Sequence, residues 1–390
     1  MRKSLLIPLF VLLTASMLLA ACGTAATPTP MVQVQTQLVE ITSTPGPAAP
    51  TPLPAGSITI NGSGSTFQQP AMSQWAYAYS YVDPSVVINY QGTGSGAGKT
   101  AVIQNTVDFA GSDAALTDAE ITSGKDLQLF PVLAGAVVLT YNLPELDPTK
   151  DPVLILDGNT LVGIYNATIT KWNDPAIAAL NPGIASKLPA KQITVVHRSD
   201  GSGTTDIFTN ALTSFSSAWT AGHGTTVQWP VDKAGNGIGG KGSQGVTAAV
   251  QNTPDSIGYV EYSYATSNKL PFAQMVNKAG KTITATPSSV VSAMNDFANN
   301  FTPQMSDSIV NAPSDAAWPI AGYTYDILHL TSMTDCVKAS KLVEFFHWVL
   351  TDPGATKQAT TLGYVPLPST VQQQVLAKLG QVTCNGQPVK

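Results

Sequence analysis

Residues 197–212 read His-Arg-Ser-Asp-Gly-Ser-Gly-Thr-Thr-Asp-Ile-Phe-Thr-Asn-Ala-Leu. Arg198, Asp200 and a Gly-Ser-Gly-Thr-Thr run precede Ile207, Phe208, Ala211, Leu212 and Phe215, which recur at three- and four-residue steps like a helix face. Ile193–Val196 before them is a β-branched run, so the stretch reads strand, turn, helix. A helix start carries free backbone N–H groups and a partial positive charge, which together hold anions. Gly201 and Gly203 let the backbone approach a ligand closely. Arg198 adds a planar, two-pronged, permanently charged donor suited to an oxyanion, and Asp200 can steady it. Many plain strand-to-helix junctions also carry Gly and Ser, so this stretch alone leaves an anion site and a simple turn both open.

Two further turns repeat the pattern. Ile58-Thr59-Ile60 alternates as a strand and runs into Asn61-Gly62-Ser63-Gly64-Ser65-Thr66-Phe67. Phe67, Ala71, Trp75 and Tyr79 follow four apart, a helix in which Pro70 fits only within the first turn. Val86–Tyr90 is a third strand, and Gln91-Gly92-Thr93-Gly94-Ser95-Gly96-Ala97-Gly98-Lys99-Thr100 leads into a helix through Val102 and Ile103. This nearly spells a P-loop, but Thr93 stands where the first glycine is required. Ser95 is left at a helix mouth. Val107-Asp108-Phe109-Ala110-Gly111-Ser112-Asp113 is a strand ending in an acid, and Thr117 and Glu120 have capping-box spacing. Asp113 is then either a loop residue or an acceptor aimed at a ligand.

The remaining chain must hold these turns together. Phe130–Tyr141 is strongly apolar and reads as one or two buried strands; Lys171–Pro175 reads as a turn opening the helix Ala176–Leu180. Gly235–Gly245 is another glycine-rich loop before a helix through Val246 and Val250. Ile257–Tyr262 and Tyr325–Leu330 read as strands, Val290–Phe297 and Lys338–Leu350 as helices. Strands alternating with helices give an α/β fold. The chain has 390 residues, which favours two globular lobes over one core. Its formal net charge of -5 argues against nucleic acid as a partner. An acidic anion binder must act through local geometry. There are four histidines, no Gly-x-Ser-x-Gly and no second copy of the Glu344/His347 spacing, so neither a metal, a cofactor nor a catalytic residue is expected.

At the N-terminus, Arg2 and Lys3 precede the apolar run Leu5–Leu19 and then Leu19-Ala20-Ala21-Cys22. That is a signal peptide, residues 1–21, with a cysteine at the cleavage site. It resembles the bacterial lipobox, which implies a lipid on Cys22. Residues 22–56 form a Thr/Pro-rich spacer that would hold a body beginning near Ser57 off a membrane. Cys336 and Cys384 then remain as a pair in an exported, oxidising setting, either joined as a disulfide or kept as two buried thiols.

A carboxylate repels an anion unless the anion carries a proton. Phosphate at neutral pH has such a proton and sulfate does not, so Asp113 would accept from the first and reject the second. Gly-Ser-Gly-Ser-Thr-Phe (62–67), Tyr-Gln-Gly-Thr-Gly-Ser (90–95), residues 107–113, Arg-Ser-Asp-Gly-Ser-Gly-Thr (198–204) and Ile-Gly-Tyr-Val-Glu-Tyr (257–262) resemble the phosphate-binding protein of the bacterial phosphate ABC transporter, the PstS family. Trp172-Asn173-Asp174 and Ala317-Trp318-Pro319-Ile320 fit it as well.

The resemblance implies a two-lobed type II periplasmic-binding-protein fold with the ligand in the cleft. Residues 57–141 plus 324–390 would form lobe I and 142–323 lobe II. Ser65, Thr66, Phe67, Ser95, Ser202, Gly203 and Thr204 would donate to phosphate, Asp113 would accept its proton, and Arg198, steadied by Asp200, would pair with its charge. The implied role is high-affinity phosphate binding by a lipid-anchored monomer outside the cytoplasmic membrane and delivery to permease subunits. The rival readings are a binder of arsenate or a phosphonate, and a phosphate sensor without transport.

Overall fold

The computed structural model describes residues 56–297 and 300–389. The expected signal peptide, Cys22 and residues 23–55 of the expected spacer lie outside the described residues. The body is organised on a nine-stranded sheet. Its strands are β1 (Ile58–Gly64), β2 (Val86–Gly92), β3 (Phe109–Ser112), β4 (Leu127–Asn142), β5 (Thr194–Arg198), β6 (Gly237–Gly240), β7 (Ser256–Glu261), β8 (Ala321–His329) and β9 (Val365–Pro366). The order is β2-β1-β3-β8-β4-β7-β5-β6, with β9 also on β4.

Two parallel wings are joined by an antiparallel centre. β1 runs parallel to β2 and β3, and β5 runs parallel to β6 and β7. β4 and β8 run antiparallel to each other between the wings. At 16 residues, β4 is long enough to serve both: Leu127–Ala136 pair with β8, and Val137–Asn142 pair with β7. Every residue of it except Asn142 is buried, as expected of a strand covered on both faces. The apolar run that reads as one or two strands is thus one. Its register slips between Thr324 and Tyr325 of β8, opposite Pro131. A proline has no N–H for the ladder, so a bulge is the natural accommodation.

Four helices start at the carboxyl ends of parallel strands: α1 (Gln69–Val82) after β1, α2 (Ser95–Ile103) after β2, α3 (Gly203–Phe215) after β5 and α4 (Gly242–Asn252) after β6. Open α/β sheets bind ligands at that edge. Pro70 sits in the first turn of α1, whose buried face is Ala71, Met72, Trp75 and Tyr79. A later helix, Cys336–Thr351, packs Phe346 edge-on against Phe109 and Phe345 against Tyr79. In the other wing Tyr165, Phe208, Trp229 and Tyr259 form the aromatic core. Cys336 and Cys384 are bonded, 48 positions apart in sequence. Closing a loop of that length restrains the unfolded chain by up to about 4 kcal/mol on the chain-entropy account.

Candidate functional site

The cage forms where the two wings meet. β1 ends at Gly64, and Ser65, Thr66 and Phe67 turn into α1 with their side chains fully or almost fully buried. Ser65 Oγ donates to Asp113 Oδ1 at 2.5 Å. The same oxygen accepts from the Phe67 N–H at 3.0 Å, so the turn is tied to the acid that follows β3. Ser95, the first residue of α2, accepts from Asp113 N at 3.3 Å and from Gly203 N at 3.0 Å. One hydroxyl thus joins three elements from both wings.

The second wing supplies the cation. Arg198 ends β5, is 5% exposed, and grips Asp200 through Nε at 2.8 Å and Nη2 at 2.5 Å. Asp200 Oδ1 also accepts from Gly242 N, the first residue of α4. A guanidinium has five N–H groups, so three remain beyond the two on Asp200. Arg198 N donates to the Tyr259 hydroxyl, and His197, stacked on Trp229 and paired with Asp232, props the strand end from the far side. Ser202 caps α3 by accepting from Thr205 N, and Thr204 Oγ1 donates to Asp113 Oδ2 at 3.4 Å.

The glycines act chiefly on the approach of one wing to the other. A Cβ on Gly203 would lie 2.6 Å from Asp113 N, so any side chain there would push the wings apart. Gly94 has φ +93, and its Cβ would meet Asp200 Oδ2 at 2.3 Å. Backbone bonds complete the closure, with Gly96 N donating to Gly201 O at 2.9 Å. The near-P-loop lysine points away from the cage: Lys99 is buried in an ion pair with Glu120 at 2.9 Å and donates to Ala115 O.

Every residue that the sequence nominates for the ligand set is gathered in this region. The Phe67 and Gly203 N–H groups serve Ser65 and Ser95, and Ser202 serves its own helix. Buried donors pair with the acceptors around them. The structure adds residues that the motifs do not indicate. Ser243 in the first turn of α4 meets Thr66 twice, Oγ to Oγ1 at 2.9 Å and N to Oγ1 at 3.1 Å. Thr324 on β8 donates to Asp113 Oδ1 at 2.8 Å. Tyr264 donates to Thr66 O, and Tyr364 to Phe67 O.

Electrostatics separate the two carboxyl groups of the cage. Burial pushes Asp113 up to about 6, against the Ser65 and Thr324 bonds, the Arg198 charge and Thr204. Burial also acts on Asp200, but the Arg198 bonds and charge and the Gly242 N–H outweigh it and hold that carboxyl below its usual range. Two more acids lie behind Asp113. Burial pushes both Glu261 and Asp326 up to about 8, and the Asp113 charge adds to each. The arrangement can hold a compact oxyanion between helix starts and a guanidinium, with one carboxylate oxygen, Asp113 Oδ2, left weakly bonded to accept a proton.

Residues 44–353 match the PBP superfamily domain. The chain is 38% identical over 314 residues to the phosphate-binding protein PstS of Xylella fastidiosa (strain 9a5c), covering 80% of this chain and 82% of that one. It is 37% identical over 334 residues to the phosphate-binding protein PstS of Methanocaldococcus jannaschii, covering 81% of this chain and 82% of that one. Among solved structures, the periplasmic phosphate-binding protein PfluDING, bound with phosphate, superposes with TM-score 0.64 at 23% identity, covering 82% of this chain and 93% of that one. That last likeness speaks to the fold, which is the two-lobed periplasmic-binding-protein type.

Proposed function

Because the chain belongs to the PstS family of phosphate-binding proteins within the PBP superfamily, we propose that it binds inorganic phosphate outside the cytoplasmic membrane and hands it to an ABC-type permease. The observation that carries this reading is Asp113. A buried carboxylate between a guanidinium and two helix starts suits an oxyanion that brings its own proton. Phosphate satisfies both ends of such a site, through oxygens for Arg198 and the N–H groups and through an O–H for Asp113 Oδ2. Sulfate offers Asp113 only lone pairs, and a buried polar group left facing lone pairs rejects a ligand by about 10⁴–10⁵-fold in well-built sites.

The ligand set we propose is Ser65, Thr66, Phe67, Ser95, Asp113, Arg198, Ser202, Gly203 and Thr204, with Asp200 behind Arg198. The body acts as a binding protein without chemistry of its own, a monomer tethered through a lipid on Cys22 and the spacer that follows. Lobe closure around the ligand is the signal to the permease.

Calorimetric titration of the body from Ser57 onward, stripped of ligand, tests the reading. Tight one-to-one binding of phosphate with no heat from sulfate at neutral pH is expected. Binding of neither anion would overturn it. Arsenate, which shares the shape and the proton of phosphate, is expected to bind as well. A chromogenic phosphomonoester should not turn over.

A further inference from the structure

Behind Asp113 runs a buried polar chain outside the ligand set. Thr324 Oγ1 lies 2.8 Å from Asp113 Oδ1 and 2.8 Å from Gln68 Oε1. The other arm of the Gln68 amide lies 2.8 Å from Asp326 Oδ1. Gln68, Thr324 and Asp326 have no exposed surface. Asp326 Oδ2 has no hydrogen-bond partner among the described residues.

A hydroxyl has a single proton, and an amide presents donors on one arm and an acceptor on the other. The chain therefore runs in one of two directions. If the amide nitrogen faces Asp326, the amide oxygen competes with Asp113 for the Thr324 proton. If Asp326 holds a proton on the oxygen that faces the amide, that O–H donates to the amide oxygen, and the amide NH₂ then faces the oxygen of Thr324. The Thr324 proton is left with Asp113 as its acceptor. The bonds in the structure have the first direction, with the amide nitrogen on Asp326 Oδ1 and 3.4 Å from the Tyr90 hydroxyl. Burial pushes Asp326 up to about 8, with the Gln68 bond opposing and the Asp113 charge adding, which supplies at neutral pH the proton that the second direction needs.

We propose that Asp326, Gln68 and Thr324 form a positioning chain whose direction commits the Thr324 hydroxyl to Asp113 and so sets how the cage reads a proton on its ligand. The proposal rests on the phosphate reading of the cage. The other groups that face Asp113 are Arg198 from β5, Glu261 from β7, and the Tyr90 and Tyr264 hydroxyls. Asp326 is faced by Asp113 and Tyr90. None of these donates a hydrogen bond to Asp113. Its carboxylate bonds come from Ser65 and Thr324 on Oδ1 and from Thr204 on Oδ2.

The test is the titration midpoint of the Asp113 carboxyl, followed by carbon NMR in the ligand-free protein and identified by its loss in Asp113→Asn. Thr324→Val removes the hydroxyl at constant shape and should raise the midpoint by about one pH unit, the size of one hydrogen bond to a charged group. Thr324→Ser should restore it. Gln68→Glu puts acceptors on both arms, draws the Thr324 proton away and should also raise the midpoint. The double variant should shift the midpoint by about one unit less than the sum of the two single shifts, because both remove the same donation. The pH at which sulfate begins to compete with phosphate should move with the midpoint.

An unchanged midpoint in Thr324→Val, or additive shifts in the double variant, would overturn the chain. If Gln68→Glu fails to fold, the Val and Ser variants at position 324 still decide. The midpoint is read without ligand, so a wild-type protein that fails to bind phosphate would defeat the functional reading separately.

Discussion

Asp113 and Asp200 stand at opposite ends of one cage with the same side chain, and their surroundings divide them. Asp113 is fenced by three hydroxyls, with Arg198 acting on it only through its charge, so burial wins and lifts it to about 6. Asp200 is held by two guanidinium N–H groups and the start of α4, and those bonds win. The first therefore keeps some affinity for a proton while the second gives it up. Reading a ligand's proton needs an acceptor of the first kind. Holding an arginine in one orientation needs a carboxylate of the second kind. The residue type is common to both, so the role is set by what closes over it.

The comparison breaks most visibly at Asp113. Asp113→Asn replaces an acceptor-only oxygen by an NH₂ that can donate to sulfate. Sulfate rejection should collapse by about two orders of magnitude or more, while phosphate affinity falls less. The wild-type protein should show the same admission of sulfate as pH drops. A raised carboxyl is protonated below its folded value, so sulfate competition should appear as pH falls through about 6 and vanish above it. Competition titrations against labelled phosphate across that window check both. Unchanged rejection in the Asn variant would mean that Asp113 does not read the proton.

Next in size is the donor end. Arg198→Ala removes the cation and also leaves Asp200 half-buried without its main partner, so phosphate binding should weaken by about 3–5 kcal/mol. Sulfate should weaken in parallel, because the guanidinium recognises charge and does not read protons. A calorimetric loss under about 1 kcal/mol would place Arg198 outside the ligand set.

How much of this was legible in the sequence follows from how far apart the partners lie. Arg198, Asp200, Ser202, Gly203 and Thr204 are neighbours in the chain, and their helix start is written in local spacing. Ser65, Ser95 and Asp113 each close a strand whose pattern is local too. Thr324 and Asp326 were hidden because β8 reads as an apolar strand. Their value depends on Gln68, which lies more than 250 residues earlier. Whether a carboxyl inside an apolar run is buried is settled by the elements that pack on it, and no periodicity encodes that. The continuity of β4 was equally hidden, since an apolar run cannot show that its two halves pair with different wings. Ser243 lay in a loop already marked as glycine-rich before a helix, but nothing local shows that it meets Thr66.

Ser243 gives the finest test of the comparison, because it belongs to neither end. It reaches Thr66 from α4 and so joins the two wings without touching Asp113 or Arg198 in any hydrogen bond. Its side chain does not cap its own helix, so Ser243→Ala removes the hydroxyl bond to Thr66, leaves the backbone N–H bond, and has little effect on α4. One neutral hydrogen bond is worth about 1 kcal/mol, which is a loss of roughly five-fold in phosphate affinity. That loss should fall on closure alone, leaving the phosphate-to-sulfate ratio and its pH dependence as in the wild type. Competition titrations of sulfate against labelled phosphate at neutral and acid pH measure both quantities. A changed ratio would mean that closure and proton reading are not separable, and that the cage has one working end rather than two.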